Sequence, residues 1–192
     1  MPVLIPSKRG PALRAWFILL VLLPAGGQPL SAQTAISKEY QIKAVFLFNF
    51  AQFVQWPTTA FTRADEPFRI GVLGADPFDS FLDETVRGEK VDGHPLVIRR
   101  YGGIEEVKGC QVLFISRSES EGMEKILAGL KGRNILTVGD TEGFIENGGI
   151  IRFVTEGNKI HFRVNLEALK RTNLTISSKV LRLAEIAGPG KD

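Results

Sequence analysis

The chain has 192 residues, with 24 lysines and arginines against 21 aspartates and glutamates and a formal net charge of +3. Three of the basic residues and none of the acidic ones fall within the first 32 positions, so the remainder is balanced. A balanced chain lacks the basic excess that neutralises phosphates, which argues against nucleic acid as a partner.

Lys8, Arg9 and Arg14 precede an apolar run at 15–25, and small and polar residues follow at 30–33. A basic region, a short apolar region and a small residue near the cut predict a secretory signal peptide, cleaved after Ala32 or, alternatively, Gly27. The run is well short of the roughly 20 apolar residues that span a bilayer. The expected organisation is a signal peptide at 1–32, one α/β domain at 33–187 and a flexible tail at 188–192.

The first structured element is the aromatic stretch YQIKAVFLFNFAQFVQWP, 40–57. Helical spacing over about 36–55 puts Ile42, Val45, Phe46, Phe50, Phe53 and Val54 near one face, which is expected to pack on a sheet. Lys43, Asn49 and Gln52 argue against membrane burial. Pro57 ends the helix, because a residue before proline is pushed out of the α region. Phe48 and Trp56 fall off the stripe and are candidate partner-binding residues, since aromatic side chains are favoured at interface cores.

Strands are expected at 68–74, 95–101, 110–116 and 134–139. Asp76-Pro77 reads as an N-cap and first helical position, opening a helix to about Val86. Ser118 and Glu121 form a capping-box pattern before a helix that starts with Met123. Residues 148–165 alternate about Glu156-Gly157-Asn158 and predict a β-hairpin. Two closing helices are expected within 166–173 and 177–186, with Leu174–Ile176 between them. Strands alternating with helices predict an α/β fold: a mostly parallel central sheet with flanking helices, an N-terminal amphipathic helix, and a C-terminal hairpin plus helices.

The strand ends VLGADPF and TVGDTEGF, at 72–78 and 137–144, share a glycine, an acid and a phenylalanine. In a parallel sheet both lie on the carboxyl edge, where open α/β sheets bind ligands. Asp76 and Asp140 are therefore ligand-edge candidates, each with helix or turn capping as its alternative role. No nucleotide loop is present. A receiver-type phosphoacceptor is excluded because Ser116 stands where its acid should be. No G-x-S-x-G elbow occurs, and Ser177-Ser178 reads as a helix cap. No catalytic set, metal site or cofactor is expected. Cys110 is the single cysteine. It reads as a buried small hydrophobe, with pairing between chains as the alternative. Arg152/Glu156 and Lys159/Arg163 read as solvated hairpin charges, with Arg152 and Arg163 candidates for partner recognition.

The blocks KAVFLFNFAQFVQWP, RIGVLGADPF, CQVLFIS, NILTVGD, GGIIRFV with HFRVN, and SSKVLRLAEI, in this order, resemble the YfiR family of exported bacterial proteins. The resemblance runs from about Tyr40 to Ile186. It implies a periplasmic regulator that represses an inner-membrane diguanylate cyclase, or serves a sensor kinase, through that partner's periplasmic region. It further implies sequestration by an outer-membrane-associated lipoprotein; a homodimer is a separate partner expectation. The family's best-known member carries disulfides, which a chain holding only Cys110 cannot form internally. A small-ligand sensor working with a sensor kinase is the alternative function.

Overall fold

The computed structural model describes residues 30–188, apart from Asn158. The expected signal segment before Leu30 and the tail beyond Gly188 lie outside the described residues. Helix α1 (Leu30–Phe53) begins six positions before the expected start, so the expected cut after Ala32 falls within it. The chain then forms β1 (Val54–Gln55), β2 (Phe68–Leu73), α2 (Phe81–Val86), β3 (Lys90–Val91), β4 (His94–Tyr101) and β5 (Val112–Ile115). It continues through α3 (Met123–Leu130), β6 (Leu136–Gly139), β7 (Ile151–Glu156) and β8 (Lys159–Val164). The last elements are α4 (Leu166–Leu169), β9 (Thr175–Ile176), α5 (Ser178–Leu181) and β10 (Glu185–Ile186).

Eight strands form one sheet in the order β10-β8-β7-β6-β5-β2-β4-β3. The pairs β2/β4, β2/β5, β5/β6, β6/β7 and β8/β10 are parallel, while β7/β8 and β3/β4 are antiparallel. This is the expected mostly parallel α/β sheet. The hairpin is also as expected, with Glu156 opposite Lys159 and Gly157 at φ +53°, a conformation in which glycine avoids the Cβ clash.

Two apolar clusters occupy opposite faces of the sheet. On β5, Val112 and Phe114 join one cluster, and Leu113 and Ile115 the other, as strand alternation requires. The first cluster takes α1, α2 and the inward rings of the hairpin. The second takes α3 and Phe144.

Several local expectations change. The chain between Asp76 and Ser80 makes a turn, and α2 starts only at Phe81, because Asp79 takes a φ of +50°, outside the right-handed helical region. Residues 117–122 form a 3-10 turn capped by Ser116, whose hydroxyl oxygen accepts from the Ser118 amide; Ser118 instead bonds across to Ala75. The segment between the closing helices is β9, which pairs antiparallel with β1. The second closing helix is only α5, capped by Ser177 as expected, and its anticipated end is β10 on the edge of the sheet.

The buried face of α1 is also displaced from its expected position. Tyr40, Lys43, Ala44, Leu47, Phe50 and Ala51 are buried, as is Val54 just beyond the helix, whereas Ile42 and Val45 are each 48% exposed and Phe53 38%. Most of the aromatic surplus, Phe53 apart, is consumed by the fold. Phe46 and Phe50 contact the hairpin rings Phe153 and Phe162 at centroid separations of 5.2–5.9 Å. Phe48 and Trp56 are half-buried against the same cluster, with Trp56 edge-on to Phe68 at 4.8 Å.

Candidate functional site

The carboxyl edge of the parallel strands is where Asp76 and Asp140 were expected to meet a ligand. Strand β4 lies on one side of β2, and β5 and β6 on the other, so the topological switch point falls between β2 and β5. The 116–119 turn fills this crevice. Gly74, at φ +85°, ends β2, and a Cβ there would lie 2.3 Å from the Ser118 hydroxyl. That hydroxyl accepts from the Ala75 amide at 2.9 Å.

Asp140 ends β6 and points inward. Its Oδ2 accepts from Lys43 Nζ at 2.5 Å and from the Tyr40 hydroxyl at 2.9 Å. The Lys43 side chain is fully buried and that of Asp140 only 1% exposed, so the pair has left water together. Lys43 also donates to Glu39 one turn earlier, and Glu39 in turn accepts from Thr155 on the hairpin. Arg117 Nε stands 3.2 Å from Oδ1 of Asp140 and brings a second positive charge to it. Asp140 joins α1 to the sheet, and two cations and two carboxylates come together with one phenol.

The Tyr40 hydroxyl is shifted well above the usual phenol range, first by burial, then by the Asp140 charge and the bond it donates there. A proton so firmly held makes Tyr40 a donor and not a base. The network fastens the helix. Sequence reasoning took Lys43 as a polar interruption. The visible signal was its spacing from Tyr40, Leu47 and Phe50, which makes it part of the buried stripe once that stripe is drawn correctly.

Asp76 is the half-buried member of a surface clamp. Its Oδ1 accepts from the Phe78 amide at 2.8 Å, and its Oδ2 lies 2.6 Å from Arg100 Nε. Arg100 also holds Asp83 at 2.5 Å, and its hydrogen bonds keep the Asp83 carboxyl below the ordinary carboxylate range. Asp76 and Asp140 share an edge but no common site.

The hairpin brings Arg152 and Arg163 directly opposite each other. Phe153 and Phe162 face α1, so alternation turns both arginines to the other face of the sheet. Arg163 pairs with Glu185 of β10 at 3.1 Å. Phe48 and Trp56 pack against the apolar cluster on the α1 side of the sheet. Cys110 is buried, and that burial pushes its thiol up to about 12.

The α1 face left in solvent continues into a groove against α5. Phe46, Asn49, Phe50, Phe53, Phe162, Val180, Leu183 and Lys179 line it, with no acid among them. Leu183 is 71% exposed. Lys179 Nζ lies 5.5 Å from the centre of the Phe53 ring. This face was missed because the buried stripe was drawn about one position out of phase.

An α/β sheet with an internally occupied carboxyl edge and an apolar, cation-rimmed helix face presents a surface suited to recognition. The chain belongs to the YfiR/HmsC-like family, whose model matches residues 40–185. That membership supports a regulator in preference to an enzyme. A comparison with curated proteins found no match. Among the described residues, no helix is long and apolar enough to cross a membrane.

Proposed function

We propose that this protein is an exported periplasmic regulator that binds and represses the periplasmic region of an inner-membrane diguanylate cyclase, lowering cyclic di-GMP in the cell. Family membership supports the reading. The observation that carries it furthest is the α1/α5 face: Ile42, Val45 and Phe53 are exposed on α1, and Phe53 lines a groove with exposed Leu183 and with Lys179. Apolar side chains gathered this way are the usual mark of an interaction site. Lys179, in a groove with no acid, fits a partner segment carrying apolar residues flanked by aspartate or glutamate.

Repression in this scheme is linkage: the regulator shifts the cyclase only by its difference in affinity for the inactive and active states. An outer-membrane-associated lipoprotein that competes for the same face relieves it. The test is titration of the mature protein against the periplasmic segment of a candidate cyclase, with cyclic di-GMP measured in a deletion strain. Saturable binding and a rise in cyclic di-GMP on deletion support the reading. Binding to a sensor kinase segment, with cyclic di-GMP unchanged, would replace it.

A further inference from the structure

On the amino edge of the sheet, opposite the Asp140 network, lies a cavity of about 230 Å3. It opens where the two apolar clusters part. Leu130 and Ile135 come from the α3 side and Ile150 from the α1 side, and together they form an apolar floor. One wall is the turn after α3 and the other the turn after α4. Asn134 Oδ1 ties these walls together, accepting from the amide and side chain of Asn173 at 3.2 and 3.3 Å. Gly132 and Gly148 stand at the opening, and a Cβ on either would meet nothing within 4 Å.

The charge around this floor is one-sided. Lys131, Arg133 and Arg171 line the cavity against a single acid, Glu124. Arg133 is committed to the Val107 carbonyl. Lys131 and Arg171 are both exposed, one on each wall. An apolar floor below two such cations suits an anion with an apolar body, because each part meets what it would lose on leaving water. The volume lies below the about 300–1,000 Å3 of sites for drug-sized ligands, so a cyclic dinucleotide is too large.

We infer that this cavity binds a small organic carboxylate with a compact apolar body, its charge between Lys131 and Arg171 and its hydrocarbon over Leu130, Ile135 and Ile150. The site is independent of the partner face on α1 and α5, so either proposal can fail without the other.

Calorimetric titration of the mature protein with 4-methylpentanoate and phenylacetate tests it. Acetate supplies the charge without the body, and 4-methylpentanol and 2-phenylethanol supply the body without the charge. At least one of the two acids should bind saturably, at least tenfold more tightly than acetate or its matching alcohol. Arg171→Gln and Lys131→Gln, both surface changes, should each weaken that acid at least fivefold without shifting the melting of the free protein. Ala128→Trp, at an exposed lining position of α3, should block it. The proposal is overturned if neither acid binds saturably at millimolar concentration, or if the alcohols bind as well. It is equally overturned if both charge-removing variants bind as the parent does.

Discussion

Lys43 Nζ and Asp140 Oδ2 are 2.5 Å apart although their residues lie 97 positions apart in the chain. Lys43 is on the first helix and Asp140 at the end of the fourth parallel strand, so this contact exists only when the helix is seated on the sheet. Both side chains are withdrawn from solvent, where a lone charge is far more costly than a pair.

Lys43→Met should therefore deprive the Asp140 carboxylate of its buried cation, leaving it Tyr40 and the more exposed Arg117, and cost about 3–5 kcal/mol of stability. Lys43→Met combined with Asp140→Leu should recover much of that loss, because no buried charge is then left alone. Urea unfolding of the singles and the double decides it. A mild Lys43→Met effect would mean that water reaches the pair.

The two sides of α1 should separate stability from binding. Phe50 is 1% exposed against Phe153 and Phe162, and Phe50→Ala should cost about 3–5 kcal/mol. Trp56→Ala loses the edge contact with Phe68 and should cost about 1–3 kcal/mol. Val45→Ser and Phe53→Ser should leave the melting midpoint nearly unchanged yet weaken cyclase binding by about 1–2 kcal/mol each. Equal binding by these two variants would move the partner surface elsewhere.

Asp76→Asn keeps an acceptor for the Phe78 amide and loses only its charge for Arg100, whose side chain is 42% exposed. Solvent screens such a pair, so the cost should stay within about 1 kcal/mol and shrink in high salt. Asp76→Ala also loses the turn hydrogen bond and should cost about 0.5–1.5 kcal/mol more. If Asp76→Asn keeps its stability but abolishes repression, the carboxylate charge itself is functional.

Acid should weaken the protein through Glu66. Hydrogen bonds from Arg69, then from the Thr62 amide and hydroxyl, lower its carboxyl from 4.5 to about 2. Between these values the unfolded chain binds the proton and the folded chain does not. Stability from this group is thus complete above about pH 4.5 and is lost as pH falls toward 2. Melting measured from pH 2 to 5 should fall less steeply in Glu66→Gln than in the parent. Identical slopes would sink the assignment.

Cys110 is 4% exposed and its thiol is pushed up to about 12, so little thiolate is present at neutral pH. A thiol reagent should label it only as fast as the domain opens, and fully in denaturant. Fast labelling of the folded protein would contradict that burial.

The sequence by itself determined the compositional balance, the alternation of strands and helices and the hairpin about Gly157. These rest on local rules: hydrophobic period, the backbone freedom of glycine and the conformational limits of proline. It also brought Asp76 and Asp140 to one edge, because strand direction follows from the βα rhythm. Their roles were decided only in three dimensions. Asp140 became a tether because α1 carries Lys43 and Tyr40 to it, and Asp76 a clamp because Arg100 lies on the neighbouring strand. The phase of α1 was likewise undetermined locally, since nearly every side of the helix is apolar. The hairpin rings Phe153 and Phe162 selected which side faces the core and left Ile42, Val45 and Phe53 in solvent. The two-residue strands, β1, β3, β9 and β10, carry too few residues to show a period, so their pairing is set by the partner strand each one meets.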